Sequence, residues 1–166
     1  MGARGYSYER LSERQDVVAR AGELSAKTFI IDVEPMVAYW DTSQEALDQG
    51  VASTVDQVRS IPGLEVVCFA TNSDRRPSSI HASAPVRVVF ESSARKPVRL
   101  AAYRDLPKPG VVIGDQAATD GILAYRLGYA FLHYTPPMTA APLGPRAMRQ
   151  FGRLVLPLLR HQGRRR

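Results

Sequence analysis

Val111-Val112-Ile113-Gly114-Asp115-Gln116-Ala117-Ala118-Thr119-Asp120 is the stretch whose reading decides the fold. Its β-branched opening is the short apolar run expected of a strand buried on both faces. The run ends in a glycine and an acid at Asp115, and a second acid, Asp120, follows five residues later. Acids at a strand end and five residues on can share a metal ion. Downstream, Thr119–Leu127 predicts a helix ended by Gly128, a residue type that commonly terminates helices. Ala130–Tyr134 then predicts another strand. Strand, acidic loop, helix and strand in that order form the repeating unit of a parallel sheet.

The same alternation extends towards the N-terminus. Thr28–Val33 predicts a buried strand, and Ser43–Arg59 carries Ala46, Leu47, Val51, Val55 and Val58 at helical spacing, with Thr42 or Ser43 as N-cap. Ile61-Pro62-Gly63 is a turn, and Leu64–Ala70 the next strand. Val86–Phe90 is a weaker strand after the Ser- and Pro-containing stretch Pro77–Pro85. Pro97–Leu106 reads as a helix and Pro107–Gly110 as a loop. Pro136, Pro137, Pro142 and Pro145 break the chain before an amphipathic helix at Arg146–Arg160. Residues 1–27 are polar and mixed in charge, and read as a loose extension with a short helix around Glu13–Glu23. The expectation is an α/β fold: a three-layer, Rossmann-like parallel sheet of five strands with helices on both faces and no sizeable cap. This domain spans 28–160, between an N-terminal extension (1–27) and a basic tail (161–166).

A chain of 166 residues with 45% hydrophobic and 23% charged residues is that of one ordinary globular domain. No apolar run reaches the roughly 18 residues needed to span a bilayer, and residues 1–27 lack a signal-peptide core. A cytoplasmic location is the expectation. Cys68, the single cysteine, sits in the apolar run Val66–Ala70 and reads as a small hydrophobe. The net charge of +6 is uneven: seven arginines and no acid occur from Pro142 onwards, while 15 basic and 16 acidic residues nearly cancel before it. Such a tail can meet nucleic acid or an anionic membrane, or be a solvated helix end. The last reading is favoured, and nucleic acid is not the expected partner.

In a parallel sheet, ligands bind in the crevice outside the carboxyl ends of the strands. Asp32, Thr71 and Asp115 each end or follow a strand, so all three should converge there. Glu34, two residues after Asp32, can reach the same crevice on an extended backbone. Taken singly these are weak signals. Strand-end acids often cap helices, Thr71-Asn72 is an ordinary turn pair, and Lys96 before a proline is usually a surface residue. A receiver domain also combines acids, Thr and Lys, but in a different order, and no Gly-rich phosphate loop is present. His81, His133 and His161 lack metal-ligand spacing and read as structural or exposed.

The order Asp, Thr, Lys, Asp resembles the haloacid dehalogenase-like superfamily from about Thr28 to Pro137. The chain is most similar to its capless subclass IIIA, YqeG-type phosphatases, which include phosphatidylglycerophosphate phosphatases. IIDVEPMVAYWD, CFATNSD, ARKP and VVIGDQAATDGILAYRLGYAFLHYTPP carry the likeness, the last most specifically.

The resemblance implies a Mg²⁺-dependent phosphomonoester hydrolase working through an aspartyl-phosphate. Asp32 would be the nucleophile and Glu34 the general acid and base. Thr71 and Asn72 would line the phosphate site and Lys96 would neutralise nucleophile and phosphate. Mg²⁺ would be held by Asp32, Glu34 (through its backbone carbonyl), Asp115 and Asp120. The family motif is Asp-x-Asp-x-Thr, whereas this chain has Asp32-Val33-Glu34-Pro35-Met36. Glu adds a methylene, Pro35 removes a backbone donor, and Met36 removes a hydroxyl. Two readings therefore stay open: an active phosphatase, or a weak or inactive domain that binds Mg²⁺ or a phosphorylated ligand. With no cap, the open site suits a bulky substrate such as a protein, a nucleic-acid end or a lipid head group. The C-terminal helix sets Met148, Phe151, Leu154, Val155, Leu158 and Leu159 beside Arg146, Arg149, Arg153 and Arg160. That pattern could rest on an anionic membrane, although such a stripe more often packs on its own domain.

Overall fold

In the computed structural model, which describes residues 6–79, 85–136 and 143–163, six parallel strands form one sheet. They are β1 (Ser7–Leu11), β2 (Thr28–Asp32), β3 (Val66–Ala70), β4 (Arg87–Glu91), β5 (Gly110–Gly114) and β6 (Ala130–Tyr134), in the order β1-β6-β5-β2-β3-β4. The helices are α1 (Arg14–Glu23), α2 (Gln44–Val58), α3 (Ile122–Leu127) and α4 (Leu143–Gly163). The architecture is a Rossmann-like α/β fold.

Period-two alternation divides the interior into two cores. Phe29 and Ile31 of β2 join Val67, Phe69, Val111 and Ile113 on one face, beneath Val17 and Ala21 of α1 and Leu47, Val51 and Val55 of α2. Ile30, Cys68, Val112 and Phe131 point the other way, beneath Leu123 and Leu127 of α3 and Leu159 of α4. Central strands buried on both faces explain why β2, β3, β5 and β6 read as continuous apolar runs. Ser43 caps α2, its side chain accepting from the Ala46 backbone N–H at 3.2 Å. Gly128 ends α3 with φ 72°, the left-handed conformation that favours glycine.

The sheet has six strands rather than five. Ser7–Leu11, read as loose extension, is β1, pairing with β6 from Ser7↔Ala130 to Leu11↔Tyr134. An edge strand pairs on one side only and needs no continuous apolar run, so Ser-Tyr-Glu-Arg-Leu carries little strand signal. Tyr6 and Tyr8 anchor it, Tyr6 edge-on to Tyr125 and Tyr8 tilted against Phe131. With Val17 and Ala21 in the core, much of 1–27 is integral to the fold.

Pro97–Leu106 is likewise not an α-helix but a run of tight turns around a 3-10 helix at Ala101–Tyr103. Its two buried anchors, Tyr103 and Leu106, are three residues apart, the spacing of a 3-10 turn. The expected helix from Thr119 opens instead with a π-helical turn, Ala117–Gly121. The Pro77–Pro85 stretch from 80 to 84, including His81, lies outside the described residues, as do Pro137, Pro142 and Arg164–Arg166. His161 to Gly163 belong to α4. Among the described residues, no helix is long and apolar enough to cross a membrane, and no separate cap subdomain stands over the sheet.

Candidate metal and phosphate centre

Beyond β2 the chain turns to β3 and β4 on one side, then returns to β5 on the other. The strand order therefore reverses between β2 and β5, where an open α/β sheet has its crevice. Asp32 ends β2 and Asp115 follows β5, so topology sets these two acids beside one another.

Asp120 arrives by a different route. The π-helical turn after Gln116 folds its carboxylate back, and Oδ2 accepts the Gln116 backbone N–H at 3.2 Å. A Cβ at residue 114 would collide with this carboxylate, so glycine is required at the end of β5. Asp32, Asp115 and Asp120 each present an oxygen within 4.8 Å of the others, and all three are buried.

Lys96 lies among them with only 2% of its side chain exposed. Its Nζ donates to Asp32 Oδ1 and to Asp120 Oδ1, both at 2.7 Å, and to the Ala70 carbonyl at 3.1 Å. Asn72 positions this lysine: its Oδ1 accepts the Lys96 backbone N–H at 2.8 Å and its Nδ2 donates to the Lys96 carbonyl at 3.5 Å. Arg149, on α4, donates through Nε to Asp115 Oδ2 at 3.0 Å, while Asp115 Oδ1 is buried with no hydrogen-bond partner.

The electrostatics follow from this crowding. Burial and the Asp120 charge push Asp32 well above the usual carboxylate range, with Lys96 opposing them. Burial and Asp120 also raise Asp115, to about 7, against the pull of Arg149. For Lys96, burial favours the neutral amine, but Asp120 and Asp32 outweigh it and hold the ammonium charged. The donor set is all oxygen, with an orphaned carboxylate oxygen and more acid than the adjacent cations balance. That chemistry fits a hard divalent cation.

Glu34 sits apart from the triad. Thr71 Oγ1 donates to Glu34 Oε2 at 2.7 Å, Ser73 Oγ donates to Oε1 at 3.5 Å, and Arg75 Nη1 lies 3.8 Å from Oε1. Ser73 N–H in turn donates to Thr71 Oγ1 at 3.0 Å. Met36 is buried in the core beneath α2, and Val37 and Ala38 both donate to the Val33 carbonyl. Arg75 clamps the rest of this loop, donating to the carbonyls of Tyr39, Trp40 and Thr42. A buried thioether and an arginine thus brace this loop.

The structure accordingly brings Asp32, Lys96, Asp115 and Asp120 into one cluster, with Asn72 behind Lys96. Glu34 and Thr71 form a second pair beside it. Sequence reasoning assigned no role to Ser73, although it lies in the quoted CFATNSD stretch, nor to Arg75 and Arg149, which carry no motif of their own. His133, which the sequence reads as structural or exposed, is buried, its Nε2 donating to the Asp115 carbonyl at 3.0 Å while Nδ1 accepts from Tyr8 Oη at 2.9 Å. Burial lowers the His133 imidazole to about 4, so it stays neutral and fixes the loop after β5.

Comparison with protein-family models, curated proteins and solved structures gives no significant match.

Proposed function

We propose that this chain is a Mg²⁺-dependent phosphomonoesterase of the haloacid dehalogenase-like type, with Asp32 as the nucleophile. The observation that carries the reading is the convergence of Asp32, Lys96, Asp115 and Asp120 at the β2/β5 crevice. Three buried carboxylates within 4.8 Å of one another, only two of them paired with Lys96, are costly to desolvate for the sake of stability alone.

Asp32, Asp115 and Asp120 would hold the cation, which would screen the repulsion between a carboxylate nucleophile and a phosphate dianion. Lys96 supplies a second positive charge at the attacking carboxylate. Asp32 forms the new bond to phosphorus as the bond to the leaving alkoxide breaks, and Glu34 gives that oxygen its proton. Glu34 then takes a proton from water as the water attacks phosphorus, releasing inorganic phosphate and Asp32. Thr71 donates to a phosphate oxygen once its hydroxyl leaves Glu34.

One observation favours the other reading, a domain that binds Mg²⁺ or a phosphorylated ligand without turnover. The Glu34 carboxylate is engaged by Thr71 and Ser73 rather than directed at Asp32. Hydrolysis of an aryl phosphate with and without Mg²⁺, in wild type and Asp32→Asn, separates the two. Mg²⁺-dependent turnover abolished by Asp32→Asn supports the enzyme. Absence of turnover in wild type overturns it, and restored turnover in Glu34→Asp would trace the loss to that side chain.

A further inference from the structure

Helix α4 has two apolar sides, and only one of them meets the domain. Gly152 packs against Ala117, Leu159 is buried, and Val155 and Leu156 lean on the same core. Arg149 points into the acid cluster from this inner half. Leu143, Ala147, Phe151, Leu154 and Leu158 lie at i, i+4, i+8, i+11 and i+15, an arc of about 80° on the opposite side. Leu143 is 83%, Phe151 56%, Leu154 72% and Leu158 69% exposed. A row of large apolar side chains this open marks an interaction surface.

The charge beside the row identifies its partner. Arg146, Arg153 and Arg160 recur every seven residues along one flank, all exposed, with Arg160 also 5.5 Å above the Tyr8 ring. From Pro142 to the C-terminus the chain has no acidic residue. Pairing α4 with its copy in a second molecule would set arginines against a helix that offers them no carboxylate. A surface that is apolar below and anionic at its edge satisfies both rows at once. We infer that the Leu143–Leu158 face of α4 lies in the interface of an anionic lipid bilayer, with Arg146 and Arg153 at the level of the head groups. Helices of this kind combine buried apolar area with attraction to anionic lipid. The inference stands whether or not the acid cluster hydrolyses phosphate.

Sedimentation of the full chain with phosphatidylcholine vesicles, with and without phosphatidylserine, tests it. The chain should sediment with the phosphatidylserine vesicles only, and added salt should weaken binding. Phe151→Glu with Leu154→Glu should lower binding about tenfold or more at an unchanged thermal midpoint. Leu154→Ser with Leu158→Ser gives the same readout if the glutamates unfold the chain. No vesicle binding, equal binding to both vesicles, or binding unaffected by both variants overturns the inference. A solution dimer that the variants dissociate also overturns it, and assigns the face to a second copy.

Discussion

The Thr71 hydroxyl donates to Glu34 Oε2 at 2.7 Å, so the acid and the hydroxyl proposed for proton transfer and phosphate binding satisfy one another. A phosphate oxygen that accepts from Thr71 must take this proton from Glu34. Phosphate binding and release of the Glu34 carboxylate are thereby coupled through one hydrogen atom.

Thr71→Val tests the coupling. It removes the donor while nearly conserving volume, leaving a buried carboxylate short of a hydrogen bond, and should destabilise the fold by about 1–3 kcal/mol in urea unfolding. In the phosphatase reading, KM for an aryl phosphate rises more than kcat falls, because the lost contact is with phosphate. Glu34→Gln, which still accepts from Thr71, should instead lower kcat by about 10²–10⁴-fold.

Lys96→Met leaves Asp32 and Asp120 buried without their cation. Breaking a buried pair from one side costs about 3–5 kcal/mol, so the variant should unfold at a clearly lower temperature at pH 7. Protonating Asp32, which burial already holds well above the usual carboxylate range, relieves the strain, and the gap to wild type should narrow towards pH 4. A constant gap across that range would mean that the carboxylates are not the source of the loss.

The legibility of this chain divides along physical lines. Continuous apolar runs exposed β2, β3, β5 and β6, because strands buried on both faces have little sequence freedom, and the acids at the ends of β2 and β5 marked the crevice. β1 was hidden because an edge strand takes polar residues as readily as apolar ones. The convergence of Asp32 and Asp115 was legible from their strand ends, whereas Lys96 was expected there only through the family resemblance, and Asn72, expected at the phosphate site, instead holds the Lys96 backbone. Arg149 was not legible, since its pairing with Asp115 depends on how α4 docks, 34 residues away in sequence. Nor could spacing foretell that Glu34 would turn to Thr71, a choice made by short-range hydrogen bonding.

Gly114→Ala tests the geometry that admits Asp120. The added Cβ would meet the Asp120 carboxylate, which is itself held by Lys96 and the Gln116 backbone. Displacing it should cost about 1–3 kcal/mol of stability and weaken Mg²⁺ binding measured by calorimetry. Unchanged affinity would remove Asp120 from the set that holds the cation.

The raised acids predict how stability depends on pH without metal. Asp115 titrates at about 7 in the folded chain, and Asp32 is also raised, whereas an aspartate in the unfolded chain titrates near ~3.9. Between these values the folded state holds more protons at these two acids, so their contribution to metal-free stability falls as pH rises from about 4 to 7, opposed by the smaller contribution of His133, which folding lowers to about 4. A divalent cation takes the place of those protons, and Mg²⁺ should raise the thermal midpoint more at pH 8 than at pH 5. Asp115→Asn should flatten the metal-free slope and shrink the Mg²⁺ gain. A Mg²⁺ gain that is the same at both pH values, or survives in Asp115→Asn, would place the cation away from Asp115.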